Sequence, residues 1–180
     1  MGKILGWEAL KNEVETHRRR GEKIAFTNGC FDILHVGHVR YLAEARKTGD
    51  LLILGLNSDL SVRAIKGEKR PLVPEQERAE VVAALASVDY VTIFAEETPL
   101  KLIEYLRPDS LVKGGDWKEE AVAGSEDVRS WGGKVDRSSS MSRDANAIRS
   151  WGGKVVFIPL VEGASTTNIV EKILQVYGKG

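Results

Sequence analysis

Apolar runs without alternation are the feature that most restricts how this chain can fold. Residues 51–56 read LLILGL, so a strand built from them carries apolar side chains on both faces. Strands of this kind occur where helices cover both faces of a parallel sheet. Stretches of helical period separate this run from four similar runs, in β-α-β-α order. The pattern predicts an α/β fold with three layers, in which a doubly wound, parallel, five-stranded sheet lies between helices.

The positions of the predicted elements follow from this alternation. We expect strands at 24–28, 51–57, 90–94, 110–113 and 154–159. We expect helices at 6–20, 37–48, 59–65, 75–87, 98–106, 118–132 and 166–177. The N-terminal helix over 6–20 ends in three arginines before Gly21, a pattern typical of a helix C-terminus. A length of 180 residues suits a single domain spanning 1–180.

The charge balance argues against partners that need a strongly charged protein. The chain has 26 Lys and Arg residues against 26 Asp and Glu residues, so any anion site must be local. We therefore expect no nucleic-acid partner, and no apolar run is long enough to predict a membrane span. The first residues lack the apolar core of a signal peptide, and a single cysteine excludes an internal disulfide framework. The expected location is cytoplasmic.

The segment 24–38 runs from an apolar strand through a glycine-bearing turn to two histidines at the start of a helix. The beginning of a helix directs unpaired N–H groups and the positive end of its dipole at one point, where an anion is stabilised. His35 and His38 are three residues apart and share one helix face, while Gly37 allows a close backbone approach. The segment is therefore either a phosphate site or an ordinary pair of capping or surface histidines.

A metal site is the weaker interpretation of the same histidines. The remaining histidine, His17, belongs to another predicted helix, and Cys30 is the sole thiol, so His and Cys alone cannot supply four zinc ligands. A three-ligand site from Cys30, His35 and His38 stays open, although no recognised ligand spacing supports it. The sequence thus predicts no metal site made by a direct cluster of ligands.

Polar residues also follow the other predicted strands at the edge where a doubly wound sheet binds ligands. The chain contains neither a Gly-x-Gly-x-x-Gly turn nor a Walker A sequence, so the site must be of another kind. Each polar group can instead be a helix cap or a turn. The polar segments are 28–32, 57–59, 113–117 and 165–168.

The chain resembles the cytidylyltransferase-like nucleotidyltransferases over most of residues 22–176. Within that superfamily it is most similar to the D-glycero-D-manno-heptose 1-phosphate adenylyltransferase family, also found as the carboxyl-terminal half of a bifunctional kinase/adenylyltransferase. His-x-Gly-His marks the superfamily, and the segments at 66–71 and 111–117 indicate the sugar-phosphate branch. The matching segments are FTNGCFDILHVGH (26–38), GLNSD (55–59), KGEKRP (66–71), VDYV (88–91), ETP (97–99), RPD (107–109), LVKGGDW (111–117) and GASTTNI (163–169).

The resemblance implies attack by a sugar-phosphate oxygen on the α-phosphorus of a nucleoside triphosphate, with release of pyrophosphate. The implied catalytic residues are His35, His38, Lys66 and Lys113, and Asn57 and Arg70 are candidates for binding substrate phosphate. Residues implied to bind the nucleotide are Asn28, Gly29, Cys30, Phe31, Asp32, Gly37, Asp116, Trp117, Ser165, Thr166 and Thr167. Arg78 has two interpretations, a phosphate contact or an ion pair with Glu75.

The resemblance also implies the cofactor and partners. Mg²⁺ is expected to arrive with the triphosphate, and Asp32 is a candidate either for holding it or for positioning the triphosphate. The implied partners are ATP, or CTP in its place, a sugar 1-phosphate, and a second copy of the chain in a homo-oligomer, most simply a dimer. Two alternatives stay open: a cytidylyltransferase that uses CTP on a small phosphorylated or phosphonylated alcohol, and a non-catalytic nucleotide-binding module.

An internal repeat departs from the pattern of the family. RSWGGKV occurs at 129–135 and again at 149–155. Only one copy can lead into the fifth predicted strand, and the second copy is the better candidate because the apolar residues VFIP follow it directly. The polar segment between the copies therefore predicts an inserted surface loop over 134–148.

Overall fold

Six parallel strands form the centre of the structure, a computed structural model that describes residues 1–115, 139–159, 161 and 163–178. The strand order is β1-β4-β3-β2-β5-β6, and every neighbouring pair is parallel. The strands are β1 (Lys3–Ile4), β2 (Ile24–Gly29), β3 (Leu51–Asn57), β4 (Tyr90–Phe94), β5 (Ser110–Gly114) and β6 (Lys154–Ile158).

Helices connect the strands within the described part of the chain. They are α1 (Trp7–Arg19), α2 (Val36–Arg46), α3 (Asp59–Lys66), α4 (Glu75–Ala83), α5 (Leu100–Leu106), α6 (Ser139–Ser150) and α7 (Thr166–Tyr177). None of the helices in the described ranges has the length and apolar character that crossing a bilayer requires. The helix predicted at 118–132 lies outside the described residues.

Both faces of the sheet are buried, as the apolar run at 51–56 predicts. Leu52, Leu54 and Leu56 point to one face, where α2 and α4 contribute apolar partners to the first core cluster. Leu51 and Ile53 point to the other face, where the second core cluster includes residues of α1, α5 and α6. Alternate residues of one strand thus enter opposite cores, which gives the three-layer arrangement.

The chain reverses its direction of winding at β2. From β2 it builds outward through β3 and β4, and then β5 returns to the opposite side of β2. The carboxyl ends of β2 and β5 are therefore adjacent at a topological switch point, the usual position of a ligand crevice in such sheets. The histidine segment follows β2 at this point, and Lys113 lies near the carboxyl end of β5.

The α/β, doubly wound parallel fold is confirmed, whereas the predicted number of strands is too low. The sixth strand is β1, whose two residues pair with Tyr90 and Val91 at the sheet edge. Both residues of this strand are exposed, so the strand has no apolar run from which it could be predicted. The bounds of the other five strands agree with the prediction to within one residue.

The surface loop predicted over 134–148 is wrong for the part of it that the structure describes. Residues 139–148 belong to α6, in which Ile148 is completely buried and Asp144 is only 2% exposed. The second copy of the repeat does enter a strand, as predicted, because β6 begins at Lys154. The segment between the copies therefore contributes to the core beside the sheet, and residues 134–138 lie outside the described ranges.

Candidate active site

The two histidines of the His-x-Gly-His segment lie together where β2 leads into α2. His35 precedes the first residue of α2 in an extended conformation, and its ring stacks on that of His38 with centroids 3.8 Å apart. Phe31 covers the other side, with its ring centroid 4.9 Å from that of His38. The backbone of Phe31 is left-handed, with φ 44°, a conformation that a non-glycine residue rarely adopts. The turn is therefore held in a specific and costly geometry.

Burial keeps both rings neutral at neutral pH. It lowers the pKa of His35 from its ordinary value. The pKa of His38 falls to about 4, because burial is reinforced by the nearby His35 and by the positive charge of Lys66. Both Nδ1 atoms are buried and have no hydrogen-bond partner among the described residues. Each ring thus retains an unused polar atom, which is uncommon for buried groups in folded proteins.

Gly37 allows two parts of the chain to approach each other closely. A Cβ at this position would lie 3.0 Å from the ring of His35 and 3.1 Å from the Cβ of Ala164. The hydroxyl of Thr166 also lies within 3.4 Å of the Ile33 carbonyl oxygen. The start of α7 is therefore placed beside the histidine turn.

Ser165 is the N-cap of α7. The sequence leaves two interpretations open for this residue, a helix cap or a ligand-binding group. Its hydroxyl accepts a hydrogen bond from the N–H of Asn168 at 3.0 Å. Thr167, the second residue of the helix, is exposed. Hydroxyl groups and the N-terminus of a twelve-residue helix thus lie near the histidines, an arrangement suited to a phosphate group.

Asp32 anchors the loop that follows α3. Its Oδ1 accepts hydrogen bonds from the N–H groups of Leu72 and Val73, and its Oδ2 pairs with Arg70 Nη1 at 2.5 Å. Burial raises the pKa of this carboxyl, but the hydrogen bonds from Val73, Arg70 and Leu72 outweigh burial and hold it below its ordinary value. Arg70 is consequently fixed near the turn, while Lys66 is exposed at the end of α3.

Lys113 lies on the β5 side of the switch point. Its ammonium donates to Asn28 Oδ1 at 2.6 Å, so the ends of β5 and β2 are joined by a side-chain hydrogen bond. The same ammonium lies 3.3 Å from Asp144 Oδ2 on α6. Asp144 was missed by the sequence analysis, since it lies within the segment predicted to be a surface loop.

Arg78 is a buried structural cation. Its guanidinium donates to the carbonyl oxygens of Val73, Cys30 and Asn57 and pairs with Asp59 at 2.7 Å, so the predicted pair with Glu75 is wrong. Its side chain is inaccessible to solvent, which leaves no surface for a phosphate. These bonds fix the backbone at the ends of two strands.

Asn57 and Cys30 are also less available than the sequence suggested. Asn57 is 4% exposed and its side-chain amide donates to Ser61 Oγ at 2.9 Å. It therefore does not fit the role of binding substrate phosphate. Burial raises the pKa of the Cys30 thiol, although the cations of Lys66 and Arg78 oppose that effect. The thiol stays protonated at neutral pH.

The model of the cytidylyltransferase-like family matches residues 26–172. That range includes every strand except β1 and the short preceding part of β2. The chain belongs to the cytidylyltransferase-like family.

Similar proteins extend this family likeness over nearly the whole chain. Proteins called bifunctional protein HldE are 53% identical over 99% of this chain in Syntrophotalea carbinolica, and 51% identical over 98% in Geobacter metallireducens. The chain spans about a third of the length of these relatives, 32% in each case. A solved structure, the lipopolysaccharide core biosynthesis protein of Thermoplasma volcanium, is 25% identical with a TM-score of 0.54, covering 80% of this chain and all of that one.

In this cytidylyltransferase-like chain, most candidates from the sequence gather around the ends of β2 and β5. Asp116 and Trp117 lie outside the described residues, so their proposed contacts with the nucleotide stay predictions. Within the described ranges, no three His, Cys, Asp or Glu side chains are grouped as metal ligands. The roles of the remaining candidates in binding and catalysis also stay predictions.

Proposed function

We propose that this protein transfers AMP from ATP to a heptose 1-phosphate, forming ADP-heptose and releasing pyrophosphate. Membership of the cytidylyltransferase-like family and about 50% identity to bifunctional proteins support the reaction class. The resemblance of segments 66–71 and 111–117 supports the sugar-phosphate acceptor. The observation that carries the proposal is the stacked pair His35 and His38, with unpartnered nitrogens, beside the start of α7.

The proposed reaction needs positioning and charge stabilisation more than proton transfer. An oxygen of the sugar phosphate forms a bond to the α-phosphorus of ATP, and the bond from that phosphorus to the bridging oxygen of the β-phosphate breaks. The attacking phosphate is already an anion at neutral pH, so no general base is required. Catalysis then depends on bringing two anions into line and stabilising the charge that develops on the oxygens of the transition state.

Neutral histidines and charged side chains perform different parts of this task. A neutral imidazole donates one N–H, so His35 and His38 can bind α- and β-phosphate oxygens as hydrogen-bond donors. Lys66, Arg70 and Lys113 supply the positive charge that opposes repulsion between the two phosphates. The N–H groups and hydroxyls at the start of α7 suit the β- and γ-phosphates.

Magnesium enters the proposal with the triphosphate. Asp32 does not fit as a direct ligand, because its carboxylate is buried and already accepts three hydrogen bonds. We therefore assign Asp32 to the position of the loop around Arg70. A cytoplasmic location and a homodimer remain parts of the proposal that rest on the sequence.

A pyrophosphate-release assay tests the reaction and identifies both substrates. The wild-type chain is incubated with Mg²⁺, either ATP or CTP, and either heptose 1-phosphate or a small phosphorylated alcohol. We expect release only when ATP and heptose 1-phosphate are present together. Release with CTP and the alcohol would replace the proposal with the cytidylyltransferase alternative. Nucleotide binding without release under any combination would identify a binding module.

A pair of histidine variants tests the site in the same assay. His38→Asn should lower kcat by about 10²-fold or more, the scale of losing one donor that stabilises transition-state charge. His17→Asn is the matched control, because His17 lies on α1 and binds Tyr90 and Glu22 away from the switch point. An unchanged kcat in His38→Asn, with both variants folded, would remove this histidine from the mechanism.

A further inference from the structure

The ion pair of Lys113 and Asp144 joins the proposed site to the repeated segment. Lys113 is the penultimate residue of β5 at the switch point, and Asp144 lies on α6, five residues before the second copy of RSWGGKV. Both side chains are largely withdrawn from solvent, at 14% exposure for Lys113 and 2% for Asp144. A pair this deeply buried differs from the exposed ion pairs elsewhere on the surface, which contribute little.

The geometry leaves part of the lysine ammonium for another group. A lysine ammonium has three N–H donors. Asn28 Oδ1 accepts one at 2.6 Å and Asp144 Oδ2 lies 3.3 Å away. Within the described residues these are the two acceptors recorded for the ammonium. Since Lys113 stands where the carboxyl ends of β2 and β5 meet, the third N–H is available to an anion in the crevice.

Movement of Lys113 away from this position is opposed by the carboxylate. Asp144 Oδ1 is buried and has no partner within the described ranges, so the carboxylate depends on Lys113 for compensation of its charge. Loss of that contact would leave a buried charge without its counter-ion, which is strongly unfavourable. Asp144 therefore restrains the lysine side chain and favours its charged form.

Burial and the attraction between the two groups act in opposite senses on both pKa values. Burial holds the pKa of Lys113 below its ordinary value, and Asp144 opposes this effect. Burial holds the pKa of Asp144 above its ordinary value, and Lys113 and Arg143 oppose this effect. On the other packed elements, Asn28 of β2 is uncharged, and Tyr41 of α2 donates to the carbonyl of Val112 next to the lysine.

We propose that Asp144 is a positioning residue that fixes the Lys113 ammonium against Asn28, so that its remaining N–H meets a phosphate oxygen of the substrate. The contact between Lys113 and a substrate phosphate rests on the proposed function, whereas the restraint of Lys113 by Asp144 does not. The carboxylate is specific to the segment that precedes the second copy of the repeat, because the residue twenty positions earlier, before the first copy, is Gly124. The segment between the copies thereby supplies a polar group to the site as well as apolar groups to the core.

Direct titration of Lys113 tests the restraint without any substrate. The lysine side chains are labelled with ¹³C at Cε, and the Lys113 signal is assigned by its loss in Lys113→Arg. Asp144→Asn should lower the pKa of Lys113, because the burial that depresses it is no longer opposed by a carboxylate. Asp144→Glu should restore most of the difference. Asn146→Ala, an exposed change on the same helix, is the control and should leave the titration unchanged.

Kinetic measurements on the same variants test the role in catalysis. We expect Asp144→Asn to lower kcat/KM by about 10-fold or more and to move the alkaline loss of activity to lower pH, with recovery in Asp144→Glu. In a Lys113→Arg background the same change should no longer move the alkaline limb, because a guanidinium stays charged. A Lys113 titration and an alkaline limb that are both unchanged in Asp144→Asn would overturn the proposal.

The outcomes separate this inference from the proposed function. If no nucleotide and phosphate pair releases pyrophosphate, the proposed reaction fails, yet the titration of Lys113 still decides whether Asp144 controls the lysine. Should Asp144→Asn not fold, the ¹³Cε chemical shift of Lys113 in Asp144→Glu carries the test, because moving a contacting carboxylate by one methylene changes that shift even where the pKa is restored. An unaltered ¹³Cε chemical shift in a folded Asp144→Glu protein would contradict the contact.

Discussion

The depressed pKa of His38 makes the stability of the protein depend on pH in a predictable direction. The ordinary pKa of 6.5 applies to the unfolded chain, and the native value is about 4. Above pH 6.5 the ring is neutral in both states, so the full stability is present. Between pH 6.5 and 4 the unfolded chain binds a proton that the native protein excludes, and the free energy of unfolding falls. Below pH 4 both states are protonated, and this loss is complete.

The size of the effect follows from the difference between the two pKa values. A difference of about 2.5 corresponds to about 3.4 kcal/mol for a fully buried group. The ring of His38 is only half-buried, and solvent screens the charge of a partly exposed group. We therefore expect about 2 kcal/mol, lost progressively as the pH falls from 6.5 to 4.

Urea unfolding of the wild type and His38→Gln measures this contribution. The carboxylates titrate in both proteins, so their contribution largely cancels when the two free energies of unfolding are subtracted. Relative to wild type, His38→Gln should gain about 1.5 kcal/mol between pH 7.5 and 4.5, three quarters of the full effect. His35 lies 3.8 Å away and titrates with its neighbour, so His35→Gln and the double variant are measured as well. A difference that stays flat within about 0.5 kcal/mol would refute the reasoning.

Three further substitutions test other parts of the site. Arg78→Ala should lower the free energy of unfolding by about 3 kcal/mol or more, because buried carbonyl groups lose their hydrogen-bond donor. The exposed control Arg40→Ala should change it by less than about 0.5 kcal/mol. Equal losses in the two variants would contradict a structural role for Arg78. Asp32→Asn should weaken ATP binding measured by calorimetry about 10-fold, because Arg70 loses its anchor, and an unchanged Kd would show that the loop is held by other contacts. Ser165→Ala should lower the unfolding free energy by about 1 kcal/mol through loss of the helix cap, and no change would exclude that cap.

The fold was predictable because its strands carry their own signal. The run at 51–56 is apolar on both faces, and each face meets a separate core cluster. The two-residue strand β1 carries no such signal, since its residues are exposed and depend on pairing with β4. Strand prediction succeeded where the side chains are apolar and buried, and it failed for a short exposed strand that is defined by backbone pairing at the sheet edge.

Helix α6 was missed for a related reason. Its sequence contains four serines and a charged pair, which favour a polar loop when intrinsic propensity alone is considered. In the structure it packs through Ile148 and the partly buried Ala145, and Trp151 beyond its end donates to the carbonyl of Pro108. Tertiary contacts thus override the weak local preference of this segment for a loop. Asp144 was not predicted as a site residue because it lies in the segment that was assigned to a surface loop.

Sequence spacing located the histidines but not their state of charge. Their spacing of three residues predicts a shared helix face, yet His35 precedes α2, and the two rings stack at 3.8 Å with Phe31 packed against His38. The pairings of Arg78 could not be predicted either, because its partners Cys30 and Asn57 are distant in sequence. Polar residue types indicate a site, whereas the tertiary structure decides which of them face a ligand.

The arrangement of charges gives each part of the site a distinct task. Two stacked imidazoles cannot both carry a positive charge at 3.8 Å in a half-buried turn without strong repulsion, so they suit the role of neutral donors. The basic side chains instead come from separate positions, with Lys66 on α3, Arg70 on the anchored loop and Lys113 on β5. In the proposed reaction, these cations lie on different elements and oppose the repulsion between two phosphates from several directions, while the histidines are assigned to the oxygens of the group being transferred.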